Sequence, residues 1–337
     1  MGQRDPVEAR ADRSRDLYDI ATWEPRSRLD RIAVKLYRGA VAVGRGVIIL
    51  LSLAFVLGVV FLIGTNDPVV GVLTLLSAVP ALGLAWYIYS ADVTSKEPFV
   101  PIVLTFFLSV FFATFAGIVN TTLSFVQTLG LPGFVLFFFL VVGPVEEAVK
   151  LLAVRLYAYG SSSFDAVIDG AVYGAIAGLG FATIENALYI VQNTQMGATG
   201  ADLLVQQLSS SDGSITAFRA LAGPGHVIYS AFAGYYLGLA KFNRENAGPI
   251  VAKGILIAAL IHATYNTLVS FVPSVAGAIL GVGSLVAFFA FVVVYQGFFG
   301  YILYRKLKRY GRTYRAVQSE TERSGGTVGV DSTEFDG

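Results

Sequence analysis

Eight apolar runs, separated by short polar or glycine- and proline-rich stretches, divide the middle of the chain. They lie near 41–63, 69–90, 98–128, 131–158, 165–191, 225–242, 250–272 and 277–303. A helix needs roughly 20 such residues to cross about 30 Å of hydrocarbon. Backbone in lipid must also satisfy its own hydrogen bonds, which a helix does within a single segment. The pattern therefore predicts an all-α, polytopic transmembrane helix bundle of about eight spans. Residues 1–38 read as a polar N-terminal tail and 305–337 as a basic, then disordered, C-terminal tail. The bundle occupies 39–304, and its candidate catalytic core lies at about 131–272.

Composition agrees with this pattern. Hydrophobic residues make up 55% of the chain and charged residues 14%, and the mean hydropathy is +0.66. These values lie outside the range of soluble domains and place the chain in the cell membrane, with the bilayer as its solvent and no nucleic-acid partner. The chain has no Cys. Disulfides, thiolate metal sites and cysteine nucleophiles are thereby excluded, and any bound metal must use oxygen and nitrogen ligands. The N-terminal tail lacks the apolar stretch of a cleavable signal peptide.

Charge sets an orientation. Of 24 Lys and Arg, nine lie between Arg4 and Arg38 and seven between Arg305 and Arg323, so both termini are expected to be cytoplasmic and the span count even. The outer connections then carry only Arg219. It lies in the connection 192–224, whose Gly, Ser, Gln and Asp content reads as a mobile loop or lid. Ala166, Gly170, Gly174 and Gly178 in the fifth run, with Gly234 and Gly238 in the sixth, recur at four-residue spacing. They predict close helix packing.

Ionisable side chains inside the runs change the picture most, because each costs several kcal/mol unless it is paired or wetted. The fourth run holds Gly143-Pro144-Val145-Glu146-Glu147-Ala148-Val149-Lys150. Gly-Pro loosens the helix ahead of the two acids. Adjacent helical residues point about 100° apart, so one glutamate faces a common centre and the other supports it. Lys150 can pair with either, and a structural Glu–Lys pair near the inner interface is the competing reading. In the fifth run Glu185 follows Phe181 by one turn, with Asn186 beside it; an interfacial acid touching water is the alternative there. Asp165 and Asp169, at the start of that run, read as helix-capping acids.

The only two histidines, His226 and His262, fall in the sixth and seventh runs. His226 follows Gly223-Pro224-Gly225 at the start of its span. His262 lies mid-span with Asn266 one turn further on, and a buried neutral imidazole bonded to a neighbouring helix is its competing reading. In the inferred orientation Glu185, His226 and His262 share a depth between the midplane and the outer surface. Glu146 lies near mid-span, so one outward-opening pocket reaches all four. Three carboxylates and two imidazoles suit a zinc-like cation with one carboxylate to spare as a base, which points to hydrolysis inside the membrane. Two other functions use the same residues: a transporter or proton relay, and a bis-His haem protein held by His226 and His262. The chain shows no second copy of the Glu-Glu or His motifs, as an inverted-repeat transporter would. A haem would leave the glutamates without a role.

Taken in order across 142–270, four motifs resemble those of the PrsW family of intramembrane proteases, within the wider group that includes the CAAX-prenyl proteases. They are Glu146-Glu147 with Lys150, Phe181 with Glu185-Asn186, Pro224-Gly225-His226 with Gly234-Tyr235, and His262 with Asn266. In the CAAX-prenyl branch the second motif ends in His. Here it ends in Glu185, which is the PrsW pattern, so prenyl-peptide specificity does not carry over. The resemblance implies an endopeptidase that cuts a single-pass membrane protein near the outer face, such as an anti-sigma-factor-like regulator. It also implies Glu146 as the base that activates water, Glu147 as its partner, Glu185, His226 and His262 as metal ligands, and Asn266 as a donor to the oxyanion. Zn2+ is the ion the donor set suits, and the same glutamate and imidazoles can activate water without a metal.

Overall fold

The computed structural model describes residues 15–194 and 214–325, together with Val7, Asp202, Leu203 and Val205. About half of the expected outer lid (195–201, 204 and 206–213), and the C-terminal tail beyond Gly325, lie outside the described residues. The chain is built from helices: α1 (Arg28–Asn66), α2 (Pro68–Ser90), α3 (Phe99–Leu123), α4 (Gly130–Leu136), α5 (Gly143–Leu156), α6 (Val167–Thr194), α7 (Ile215–Phe242), α8 (Ala247–Val269), α9 (Val272–Leu280) and α10 (Ser284–Gly325). Among the described residues the only strand-like pairing is an isolated bridge between Tyr18 and Thr22.

Six helical stretches among the described residues are long and apolar enough to cross a membrane. The sequence pattern gives eight runs. The stretch Phe99–Gly160 holds two of them, because α3, a 3-10 turn at Ser124–Leu129, α4, a π-helical turn at Phe137–Val142 and α5 follow without a break. A third run lies in α7, which is 28 residues long but is diluted in apolarity by Gly, Tyr, Arg219 and His226. The last expected run, 277–303, is interrupted: α9 ends at Gly281, which adopts the left-handed conformation with φ 65°, and α10 begins at Ser284.

Helix α6 forms the centre. In its most apolar window 89% of residues are buried inside the protein, against 6% for α1 on the periphery. Small residues make this possible. A Cβ added at Gly174 would sit 2.2 Å from Ser230 O of α7, and one at Gly234 would sit 2.0 Å from Gly170 O. The two backbones are in direct contact, as the four-residue spacing predicts. A second close approach joins α5 to α8, where a Cβ on Gly143 would lie 2.7 Å from Ala259 O. These two contacts bring the glutamates of α5 and α6 against the histidines of α7 and α8.

The start of α7 differs from the sequence reading, which places His226 at the head of a span beginning at 225. The helix starts at Ile215, capped by Ser214 Oγ accepting from Ala217 N at 3.1 Å, and it runs through Pro224. Within a membrane bundle a proline is tolerated where neighbours satisfy the interrupted turn. Gln296 of α10 packs against this turn, donating from Nε2 to Leu221 O at 3.0 Å, one residue from the Ala220 carbonyl that Pro224 leaves without its helical donor. His226 consequently sits inside the helix, 5% exposed.

Candidate active site

The local irregularity of the fourth run sets the first pair of side chains. The π-helical turn at Phe137–Val142 precedes Gly143-Pro144, and α5 resumes with both glutamates buried, Glu146 at 4% and Glu147 at 0% exposure. The two acids then diverge as adjacent helical residues must. Glu147 points into the packed interior, where Lys150 Nζ lies 2.7 Å from its Oε1, His262 Nδ1 lies 2.9 Å from the same oxygen, and Ser230 Oγ donates to Oε2 at 3.2 Å. Glu146 faces a cavity. Its Oε1 accepts from Asn120 Nδ2 at 3.0 Å, and its Oε2 is buried with no hydrogen-bond partner. The nearest side-chain nitrogens of Lys150 and His262, Nζ and Nε2, both stand 3.8 Å from that oxygen.

The second pair comes from α6 and α7. His226 Nε2 is 2.8 Å from Glu185 Oε2, and Lys150 Nζ lies 3.0 Å from His226 Nδ1. An ammonium can only donate, so Nδ1 accepts and Nε2 carries the hydrogen that bonds Glu185. Arg219, assigned by the sequence to the outer connection, is part of α7; it donates from Nη2 to the same Glu185 oxygen at 2.5 Å and from Nε to Asn186 Oδ1 at 2.9 Å. Glu185 therefore has a basic partner 34 positions away in the chain, where the sequence offers none within a turn.

The histidines meet edge to face, with ring centroids 5.0 Å apart and planes at 82°. A bis-His haem needs its macrocycle between the two imidazoles, and this contact leaves no room for one. On His262 the Nδ1 hydrogen goes to Glu147, so the Nε2 lone pair is directed toward Glu146, an arrangement in which a carboxylate fixes the tautomer of a ligand imidazole. The set with one ligand atom each, all within 4.8 Å of one another, is Glu146, His226 and His262. Glu185 joins this group only through His226.

A cavity of about 550 Å³ opens onto these groups, lined by Asn120, Glu146, Glu185, Arg219, His226 and Asn266, with Phe137, Phe138, Phe218 and Phe288 among its apolar walls. All six sequence-assigned residues are accounted for. Glu146, Glu185, His226 and Asn266 line the cavity, while Glu147 and His262 lie behind it, joined to Glu146 and His226. Sequence reasoning missed Asn120, whose only signal is an amide inside an apolar run. It also missed Ser230 and the orphaned hydroxyl of Tyr265, another cavity-lining group.

Comparison with known proteins supplies the family. The model of the PrsW family intramembrane metalloproteases matches residues 97–296, which include every residue named above in the site. The chain is 26% identical to Protease PrsW of Shouchella clausii over 59% of its own length and 83% of the relative. It is 28% identical to Protease PrsW of Bacillus subtilis, covering 56% and 78%, and 30% identical to that of Geobacillus kaustophilus, covering 56% and 76%. No solved structure matches the chain at a significant level. With well over half of its residues matched by that family model, the chain belongs to the PrsW family of intramembrane metalloproteases and is a protease embedded in the cell membrane as a multi-pass protein.

Proposed function

We propose that the protein is an endopeptidase that cuts a single-pass membrane protein near the outer face, with Glu146 as the base that activates water. One observation supports this most directly: Glu146 lines the cavity, and its Oε2 is buried without a hydrogen-bond partner, 3.8 Å from His262 Nε2. A carboxylate oxygen left without a donor at this depth calls for a water or a cation beside it. Its neighbours are saturated by contrast. Glu147 is bonded through both oxygens and Glu185 is paired through Oε2 with Arg219 and His226, so Glu146 is the carboxylate of the three with a fully buried oxygen left without a hydrogen bond.

The donor set fits a zinc-class ion, because two imidazoles and a carboxylate are its usual protein ligands and one ligand atom each of Glu146, His226 and His262 lies within 4.8 Å of the others. His262 Nε2 would supply one nitrogen; His226 Nε2 and Glu185, now hydrogen-bonded to each other, would supply the second nitrogen and the carboxylate by exchanging that bond for the ion. When bound, such an ion lowers the pKa of a water molecule and polarises a carbonyl. The chain's own residues do the rest. Glu146, held by Asn120 through its other oxygen, takes the proton of the attacking water and returns it to the leaving amine. Glu147, fixed by Lys150 and Ser230, holds His262 in one tautomer. Asn266 lies on the cavity wall one turn from His262, where its amide can donate to the oxyanion of the tetrahedral intermediate. The apolar walls exclude bulk water from the reacting carbonyl.

With both termini cytoplasmic, as the Lys and Arg of the tails propose, the cavity faces outward and the substrate is cut on that side; an anti-sigma-factor-like regulator is one protein of this kind. The test is reconstitution of the purified protein with single-pass substrates in vesicles, with the products located by mass spectrometry. New termini within or just outside the outer half of the substrate span are expected. Cleavage confined to soluble loops, or none, overturns the reading.

A further inference from the structure

The other end of α6 carries a second group of acids that the hydrolytic site does not use. The connection between α2 and α3, Ala91-Asp92-Val93-Thr94-Ser95-Lys96-Glu97-Pro98, folds against the first turn of α6 and brings Asp92 and Glu97 to Asp169. All three are nine-tenths or more buried, at 5%, 3% and 0% exposure, and one oxygen from each lies within 4.8 Å of the other two. Asp169 Oδ2 accepts from the backbone N–H of Asp165 and Ala166, each at 2.7 Å, which satisfies the capping role the sequence suggests. Thr94 Oγ1 stands between Asp92 Oδ1 at 2.7 Å and Asp169 Oδ1 at 3.3 Å, and Thr94 N donates to Asp92 Oδ1 at 2.9 Å. Tyr173 donates to Glu97 Oε2.

After these bonds two oxygens remain, Asp92 Oδ2 and Glu97 Oε1, buried and with no hydrogen-bond partner. No Lys or Arg among the described residues comes within ion-pair distance of the three carboxyls. The two nearby ammonium groups are turned elsewhere: Lys96 donates to the carbonyls of Tyr89, Ser90 and Asp92, and Lys241 to those of Tyr159, Ser161 and Phe164. Orphaned oxygens in an uncompensated acidic cluster are where a cation belongs.

We propose that Asp92, Glu97 and Asp169 bind a hard divalent cation of the Mg2+ or Ca2+ class, which ties the α2–α3 connection to the start of α6. The ligands are oxygens only, which suits a hard cation and disfavours zinc, whose protein sites draw on imidazole or thiolate. Asp169 and Glu185 are 16 residues apart on one helix, or about 24 Å at the helical rise, so this ion is separate from the hydrolytic centre. Its role is to fix the end of the helix that presents Glu185.

The full-length protein, purified in detergent and stripped with EDTA, is titrated with Mn2+ as a paramagnetic stand-in, and bound Mn2+ is counted by electron paramagnetic resonance. The wild type is expected to bind Mn2+ of which one fraction is displaced by Mg2+, and His262→Ala to keep that Mg2+-displaceable fraction whatever Mn2+ it loses from the hydrolytic site. Asp92→Asn and Glu97→Gln should weaken binding at least ~10-fold, as loss of a ligand does. A displaceable fraction lost only in His262→Ala, unchanged in both acid variants, or absent from the wild type overturns the proposal. Should the variants fail to fold, the wild type still decides: Mg2+ added after EDTA must raise its melting temperature, and no rise refutes the site.

Discussion

Gly178→Ala tests how the bundle holds its histidine. A Cβ at position 178 would lie 2.3 Å from His226 O, 2.7 Å from His226 C and 2.8 Å from Val227 Cα, where ordinary contact begins at 3.4 Å, so α7 must retreat by about 1.1 Å. The obstructing atoms are backbone and no rotamer change relieves them. Overpacking of this kind costs about 1–3 kcal/mol. The displaced residue is His226 itself, and a shift of about 1 Å in a catalytic constellation lowers turnover by roughly 10²-fold. Gly83→Ala is the control. It lies inside α2 with nothing within 4 Å of the added Cβ, and it should be neutral or stabilising by up to about 1 kcal/mol. Thermal unfolding in detergent measures the first effect and single-turnover cleavage the second. Wild-type stability and wild-type turnover in Gly178→Ala would refute the claim that direct α6–α7 backbone contact positions the site.

Lys150→Met leaves Glu147 buried without its ammonium partner, and unfolding in detergent should show a loss of about 3–5 kcal/mol, the usual cost of breaking a buried pair from one side. Asn120→Ala removes the donor to Glu146 Oε1; a hydrogen bond to a charged group is worth about 1.5–3 kcal/mol, so kcat should fall roughly 10- to 100-fold with KM unchanged. His262→Ala should lose cleavage and, by elemental analysis of the purified protein, its active-site metal together. Retention of the metal in that variant would remove His262 from the ligand set.

The helices and the pool of candidate residues were legible because both rest on local properties. A run of 20 apolar residues has few alternatives to a membrane helix, and a histidine or glutamate inside one stands out against its surroundings. The α6–α7 contact was legible from small residues at four-residue spacing, since that spacing places them on one helix face. What the sequence leaves open is decided between helices. Glu146 and Glu147 are chemically identical neighbours, and only His262 of α8 and Ser230 of α7 make Glu147 the saturated one. The partner of Glu185 is likewise invisible from α6, because Arg219 lies on α7 in a turn that reads as loop. Gly223-Pro224-Gly225 signals a helix boundary by local rules, yet α7 runs through it, packed against Gln296 of α10. Asp92 and Glu97 of the α2–α3 connection carry no local signal of a site, because only the fold brings Asp169 to them in a buried cluster.

Cleavage by Glu146→Gln, measured beside its folding and metal content, bears most directly on the central claim. Glutamine keeps the shape and the bond to Asn120 but cannot take a proton from water at neutral pH. The account predicts that proteolysis of a co-reconstituted single-pass substrate falls by about 10²–10⁴-fold, the usual contribution of a general base, while the melting temperature and bound metal stay near those of the wild type. Full activity in Glu146→Gln would contradict it.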